Sequence, residues 1–317
     1  MKHTEWGFLI IIYLFLGGLS AGAFFVSALA SLLQRNGSDA AYSRIARYGA
    51  MLAPWPVMIG CTLLIFDLGR WYTFWKLFFH FRWTSPMSIG SWLLIVFSGI
   101  ALLYLWSWLS EEQRKRVISK LPRRLGFLNR DLSAYRRQLA VLGTPFAIAV
   151  GIYTGVLLGA VQSRPFWNTN LVAQMFLFSA LSSGCAAVTL LTALRREEND
   201  SRAFQLLYTV DIWLLTLELF IVIPYLIHGA LSVQAVKDSL ALVLGGPFTV
   251  TFWLFFLTAG LVLPLAIEVL EVLPALVRRV NPHFRTSMVA VTAILVLAGG
   301  FLLRYIFVFA GQMSAFK

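Results

Sequence analysis

Eight apolar stretches, each about 20 residues or longer, run along the chain with short polar segments between them. At ~1.5 Å of rise per residue, a helix of about 20 apolar residues crosses the ~30 Å hydrocarbon core of a bilayer. The pattern predicts eight membrane-spanning helices, at 6–33, 47–66, 89–109, 139–160, 170–194, 206–228, 248–270 and 288–310, and hence an all-α integral membrane fold. Ala28-Leu29-Ala30 has the look of a signal-peptide cleavage site, but the apolar run around it is too long, so span 1 is expected to stay in the protein.

Small residues recur at helical spacing, as Gly18 and Gly22 and as Gly151, Gly155 and Gly159. Lipid supplies no hydrophobic drive for helix association, and such positions let backbones come close, so they read as packing faces. Pro54, Pro56, Pro145, Pro224 and Pro264 lie inside spans, where each removes a backbone donor and favours a kink. Leu19-Ser20-Ala21-Gly22-Ala23 of span 1 resembles Leu181-Ser182-Ser183-Gly184-Cys185 of span 5. As an internal repeat this divides the chain into two parallel four-helix units, 1–169 and 170–317, related by an axis along the membrane normal. As coincidence among small residues it carries nothing.

Composition agrees with the membrane reading. The 317 residues are 59% hydrophobic and 13% charged, with a mean hydropathy of +0.77; a soluble domain carries roughly 25% charged residues. A net charge of +12 would suggest nucleic acid in a soluble protein, but its distribution here follows topology. The segments after spans 1, 3, 5 and 7 hold 18 of the 26 Lys and Arg; the termini and the segments after spans 2, 4 and 6 hold seven; Arg304 lies inside span 8. Basic residues favour cytoplasmic loops. Both termini are therefore expected in the periplasm of a bacterium, with the protein in its inner membrane. The nine basic residues of 110–138 are an orientation signal or an anchor at the anionic inner leaflet. The aromatic and basic segment 70–83 reads as a helix lying in the outer interface or as an ordinary aromatic belt.

Cys61 and Cys185 stand in separate spans and no Cys-x-x-Cys occurs, so ligands for an iron–sulfur cluster are lacking. Of His3, His80, His228 and His283 only His228 lies near a span, whereas a membrane haem b usually takes two helix-borne histidines. No intrinsic haem, cluster or metal is expected.

An ionised side chain in the bilayer costs about 2.5–3.5 kcal/mol on insertion scales, so those that persist are informative. They are Asp67, Asp211, Glu218, Glu268 and Arg304, with Glu5, Arg70 and Arg164 at span ends. The topology puts Glu5, Tyr13, Asp67, Arg70, Tyr153, Arg164 and Arg304 in or near the outer half, Glu218 near the middle, and Asp211 and Glu268 toward the cytoplasm. Asp67 and Arg70, three apart, share a helix face as a structural pair or as a chemical one. Glu218 is either paired with Arg304 or a proton carrier; with Arg304 and Asp211 it is expected to line an inward proton route. Tyr13 and Tyr153 are interfacial anchors or hydrogen-bond donors to a quinone carbonyl.

At these residues the sequence resembles the NrfD/PsrC family, membrane subunits of periplasm-facing respiratory reductases. The likeness lies in Trp6 with Tyr13-Leu14-Phe15-Leu16-Gly17-Gly18-Leu19-Ser20-Ala21-Gly22; in Arg70-Trp71 with Thr73-Phe74-Trp75-Lys76-Leu77; and in Thr84-Ser85-Pro86-Met87-Ser88-Ile89-Gly90. It continues in Tyr153-Thr154-Gly155, Ser163-Arg164-Pro165-Phe166-Trp167-Asn168, Leu177-Phe178-Ser179 with Ser182-Ser183-Gly184, Glu218, and Arg304 with Ala310-Gly311-Gln312. The resemblance implies binding of menaquinol or a related quinone near the periplasmic face, as an exchangeable substrate. It implies electron exchange with a periplasmic, ferredoxin-like four-cluster iron–sulfur subunit. Beyond that subunit it implies a multihaem cytochrome or a molybdopterin reductase. The family's headgroup-binding tyrosine of span 4 falls at Tyr153. A histidine of span 1 in one branch falls at Tyr13, and an asparagine one turn earlier falls at Ile10, which cannot donate a hydrogen bond.

The expected reading is a quinol-oxidising subunit that is not active alone on the terminal acceptor. Glu5 or Asp67 would act as general base, Tyr13 and Tyr153 would orient the quinol oxygens, and Arg70 and Arg164 would stabilise a quinolate or dock the acidic partner. The rival readings are a secondary transporter and a passive membrane anchor for the complex.

Overall fold

The computed structural model describes residues 6–34, 40–67, 82, 84–119, 131–195, 201–278 and 284–314. Eight of its helices are long and apolar enough to cross a membrane: Phe8–Leu33, Ala40–Phe66, Pro86–Trp108, Ser133–Gly159, Asn170–Leu194, Ser201–Leu231, Thr251–Pro274 and Thr286–Met313, here spans 1 to 8. Each overlaps a predicted one, and no strand occurs among the described residues. Phe66, Trp213, Phe220 and Leu231 are largely exposed on the outside of the bundle, where acyl chains and not water would be the neighbours.

Local chemistry sets several helix starts. The Ser85 hydroxyl accepts from the Ser88 N–H at the head of span 3, with Pro86 at the first helical position. Thr169 caps span 5 by accepting from the Leu171 N–H. In the connection from span 3 to span 4, the helix Glu111–Ile118 opens with a full capping box between Ser110 and Gln113. Beyond it the Ser133 backbone N–H, and then the Arg114 guanidinium 2.6 Å away, hold the Asp131 carboxyl below the usual carboxylate range.

Two spans depart from the sequence expectation. Span 2 begins at Ala40, well before residue 47, and is broken at Ala53 into Ala40–Leu52 and Pro54–Asp67. Pro54 and Pro56 cannot donate to the helical ladder, and span 1 ties the two pieces down: Ser20 donates to the Ala53 carbonyl and Ser27, two turns on, to the Ala46 carbonyl. Span 7 is wound as a π-helix over Thr251–Val262 before it turns α-helical. A short helix, Gln234–Leu244, also lies between spans 6 and 7, where none was predicted.

Spans 1 and 5 form the centre. Span 1 packs on spans 2, 4 and 5; span 5 packs on spans 1, 4, 6 and 8; span 3 lies against span 4 and span 7 against span 8. The two similar stretches of spans 1 and 5 meet backbone to backbone. A Cβ on Gly22 would stand 2.2 Å from the Ala180 carbonyl oxygen, and one on Gly184 would stand 2.1 Å from the Gly22 carbonyl carbon. Gly155 of span 4 meets span 5 in the same way at Ala173. These are the close approaches that small residues at helical spacing permit.

Candidate functional site

Spans 1 to 4 enclose a cavity of about 380 Å³, within the range of small-molecule sites, about 300–1,000 Å³. Its lining is mostly aliphatic, with Tyr13, Cys61, Thr62, Ser91, Ser98 and Tyr153 as the polar exceptions. Thr62 and Ser91 spend their hydroxyl protons within their own helices, on the Met58 carbonyl (2.8 Å) and the Met87 carbonyl (2.7 Å). The two phenols lie beside each other, one from span 1 and one from span 4. Tyr13 is 1% exposed, and its hydroxyl makes no hydrogen bond of full geometry among the described residues. Its nearest polar neighbour is the Tyr153 hydroxyl, and a ligand oxygen in the cavity would complete its hydrogen bonding.

Gly90 makes room for this arrangement. A Cβ there would fall 1.8 Å from Cζ of Tyr153 and 2.1 Å from its hydroxyl oxygen. Met58, Met87 and Ile95 line the cavity and are each more than a third exposed, so the space is open at the surface of the bundle.

The structure brings together some of the residues expected at the site and separates others. Tyr13 and Tyr153 share the cavity. Asp67 ends the helix that carries Cys61, Thr62, Leu64 and Ile65; its side chain, and all of Glu5 and Arg70, lie outside the described residues, as does most of segment 70–83. Arg164 does not line the cavity. Its guanidinium donates to the Gln312 carbonyl and, at 2.7 Å, to the Ser314 carbonyl at the end of span 8. Around it Gln312 holds the head of span 1, accepting from the Trp6 N–H (2.7 Å) and donating to the Trp6 carbonyl (3.1 Å), while the Trp167 indole donates to the Phe307 carbonyl (2.6 Å). Arg164 is thus a clamp across one end of the bundle.

The residues expected to handle protons lie together in spans 5 to 8. Arg304 is fully buried and donates to Ser179 Oγ (2.8 Å) and the Gly300 carbonyl (2.6 Å), between the rings of Phe15 and Phe176. Ser179 also lies against Glu218, so Glu218 faces the guanidinium across a hydroxyl. Further along span 6, Asp211 stands beside Ser182 of span 5 and Glu268 of span 7.

Residues 1–315 match the profile of the family described as Polysulphide reductase, NrfD. The chain belongs to the NrfD family. It is similar to Protein NrfD of Escherichia coli, 33% identical with 99% of this sequence and 96% of that one covered. It is likewise similar to the C subunit of polysulfide reductase of Wolinella succinogenes, at 31% with 97% and 94% covered, and to the Protein NrfD homolog of Haemophilus influenzae, at 29% with 98% and 97% covered.

In this NrfD-family protein the sequence alone singles out neither Gly90 nor Cys61 for the cavity, nor the contact of Glu268 with Asp211. Gly90 stands in a stretch that matches the family, but its steric role depends on a ring 63 positions away along the sequence. Glu268 is visible as a costly charge within a span, yet nothing in the sequence says which neighbour it meets.

Proposed function

We propose that this protein is the membrane subunit of a respiratory oxidoreductase complex, oxidising menaquinol or a related quinol in the cavity of spans 1 to 4. The observation that carries the reading is the pair of adjacent phenols, one of them with a buried hydroxyl that makes no hydrogen bond of full geometry among the described residues, in a largely apolar space. A quinol has the matching chemistry: an apolar ring and tail that partition into lipid, and two oxygens that need hydrogen-bond partners. Its oxidation to quinone releases two protons and two electrons. Tyr13 and Tyr153 orient the oxygens, and a carboxylate at the outer end, Glu5 or Asp67, takes a proton as general base. The electrons pass to a periplasmic iron–sulfur subunit of the four-cluster, ferredoxin-like kind, and from it to a multihaem cytochrome or molybdopterin reductase. A place among other subunits is supported by the name of one relative, which is one lettered component of polysulfide reductase. Among the described residues the cavity is lined from spans 1 to 4 and the buried acids lie in spans 6 and 7, which supports a functional division into 1–169 and 170–317.

Removing one neutral hydrogen bond costs about 0.5–1.5 kcal/mol, roughly 2- to 13-fold in binding. Tyr153→Phe should therefore weaken quinol use by that factor in the assembled complex, and Tyr153→Ala should do more by opening a void. Quinol oxidation kinetics are the measurement, with retention of the iron–sulfur partner as the control. Unchanged kinetics in both variants, or quinone bound on the cytoplasmic side, would remove the site.

The same reading needs the Trp6 end of the bundle on the periplasmic side. A C-terminal alkaline phosphatase fusion should be active and the corresponding GFP fusion dark. The reverse pattern would place the cavity on the wrong side for a periplasmic partner.

A further inference from the structure

Spans 5 to 8 enclose polar groups that quinol oxidation does not use. Asp211 of span 6 and Glu268 of span 7 are each 2% exposed, and their carboxyl groups approach within hydrogen-bonding range of each other. The titratable groups that face them, among the described residues, come from three helices. Span 7 adds Glu271, span 6 adds Tyr208 and, two turns on, Glu218, and span 5 adds Cys185. None is a cation. Arg304 of span 8, the cation buried in this half, is turned toward Ser179 and Glu218; the other span 8 group here is the uncharged Thr292, beside Tyr208. Two carboxylates so close together and so far from water cannot both be ionised, because like charges in a medium of low dielectric repel strongly.

A second observation points to the same place. The hydroxyls of Ser182 and Tyr208 are each 1% exposed; that of Ser182 stands against Asp211, and that of Tyr208 lies beside Thr292. Neither makes a hydrogen bond of full geometry among the described residues, and one oxygen of Asp211 and one of Glu268 are in the same position. Buried polar atoms are nearly always paired. Here two acids, each with a spare oxygen, meet beside the rotatable hydroxyl of Ser182, and a proton satisfies one acid against the other.

We propose that Asp211 and Glu268 form an internal proton-binding site, holding one proton between their two carboxyl groups and exchanging it through Ser182. With one proton the pair carries a single negative charge; a second proton, added to the free oxygen, makes it neutral, and no electron moves. Glu218, held opposite Arg304, is the next acid along span 6 and the nearest station for a proton that leaves. None of these residues lines the phenol cavity. The inference therefore stands whether or not that cavity takes a quinol.

The test is infrared spectroscopy of the full-length protein in lipid nanodiscs at pH 7, in H₂O and D₂O, with no quinone and no partner. Wild-type protein should show a carboxylic-acid C=O band that shifts on deuteration. Asp211→Asn and Glu268→Gln, each of nearly unchanged shape, should each keep a band at a shifted frequency, because the remaining acid is protonated but no longer shared. In a Glu218→Gln background, which removes the other buried acid among the described residues, the double variant should lose the band, while Glu218→Gln and Glu271→Gln alone should leave it in place. Absence of the band in wild-type protein would overturn the proposal without any variant. So would its survival in the double variant in that background, where the protein still elutes as a single species.

Discussion

Gly22→Ala should lower the unfolding midpoint of the purified protein by several degrees, and Gly22→Val should leave little folded protein to purify. In the middle of an ordinary helix, exchanging glycine for alanine is worth about 1 kcal/mol in the favourable direction, so the expected sign is reversed. The cause is what the new methyl group meets. Its nearest neighbours are the Ala180 carbonyl oxygen at 2.2 Å and the Cα atoms of Leu181 and Gly184 at 2.9 Å, all backbone of span 5 and unable to rotate away. The two central helices would have to separate, and overpacking of a core costs about 1–3 kcal/mol or more against a total stability of about 5–15 kcal/mol. Separation would also disturb Arg304, whose guanidinium lies 3.0 Å from where a Cβ on Gly18 would be. Gly17→Ala is the internal control: a Cβ at Gly17 meets nothing within 4 Å, so that variant should unfold at or above the wild-type midpoint. Equal midpoints for Gly17→Ala and Gly22→Ala would contradict the contact between spans 1 and 5.

Gly90→Ala should act on chemistry and spare the fold. The methyl group would overlap the far end of the Tyr153 ring, which can swing aside, where a backbone atom could not. If displacing the phenol costs about 1–3 kcal/mol, quinol oxidation by the assembled complex falls roughly 5- to 150-fold. The double variant Gly90→Ala/Tyr153→Ala should be no slower than Tyr153→Ala alone, since effects that run through one side chain do not add. A complex carrying Gly90→Ala with wild-type kinetics would mean that the Tyr153 phenol does not position a quinol.

The sequence makes the spans legible because the bilayer imposes length and apolarity on each of them separately. It also brings Tyr13 and Tyr153 into view, since two phenols at similar depth on helices of one unit are few enough to compare. What stays hidden depends on partners without a side-chain signature. Arg164 looks like a site cation, but its acceptors are the main-chain carbonyls of Gln312 and Ser314, which any sequence possesses. The early start of span 2 is masked by Arg44 and Arg47, which read as loop residues although the helix already runs from Ala40. The pairing of Glu268 with Asp211 is hidden twice over. It joins two helices, and it follows a π-helical stretch over Thr251–Val262, past which a period of 3.6 residues no longer reports which face a residue occupies.

The bond between Trp6 and Gln312 joins groups 306 positions apart. A ribosome adding about 5–20 residues per second needs roughly 15–60 s to cover that distance, and throughout that time the head of the first helix waits for its latch. Arg164 waits too, for acceptors that belong to Gln312 and Ser314. Closure of this end of the bundle therefore cannot precede synthesis of Gln312 and Ser314, and a nascent polypeptide that stops before Gln312 would carry spans 1 to 7 and most of span 8 with the head of span 1 unlatched.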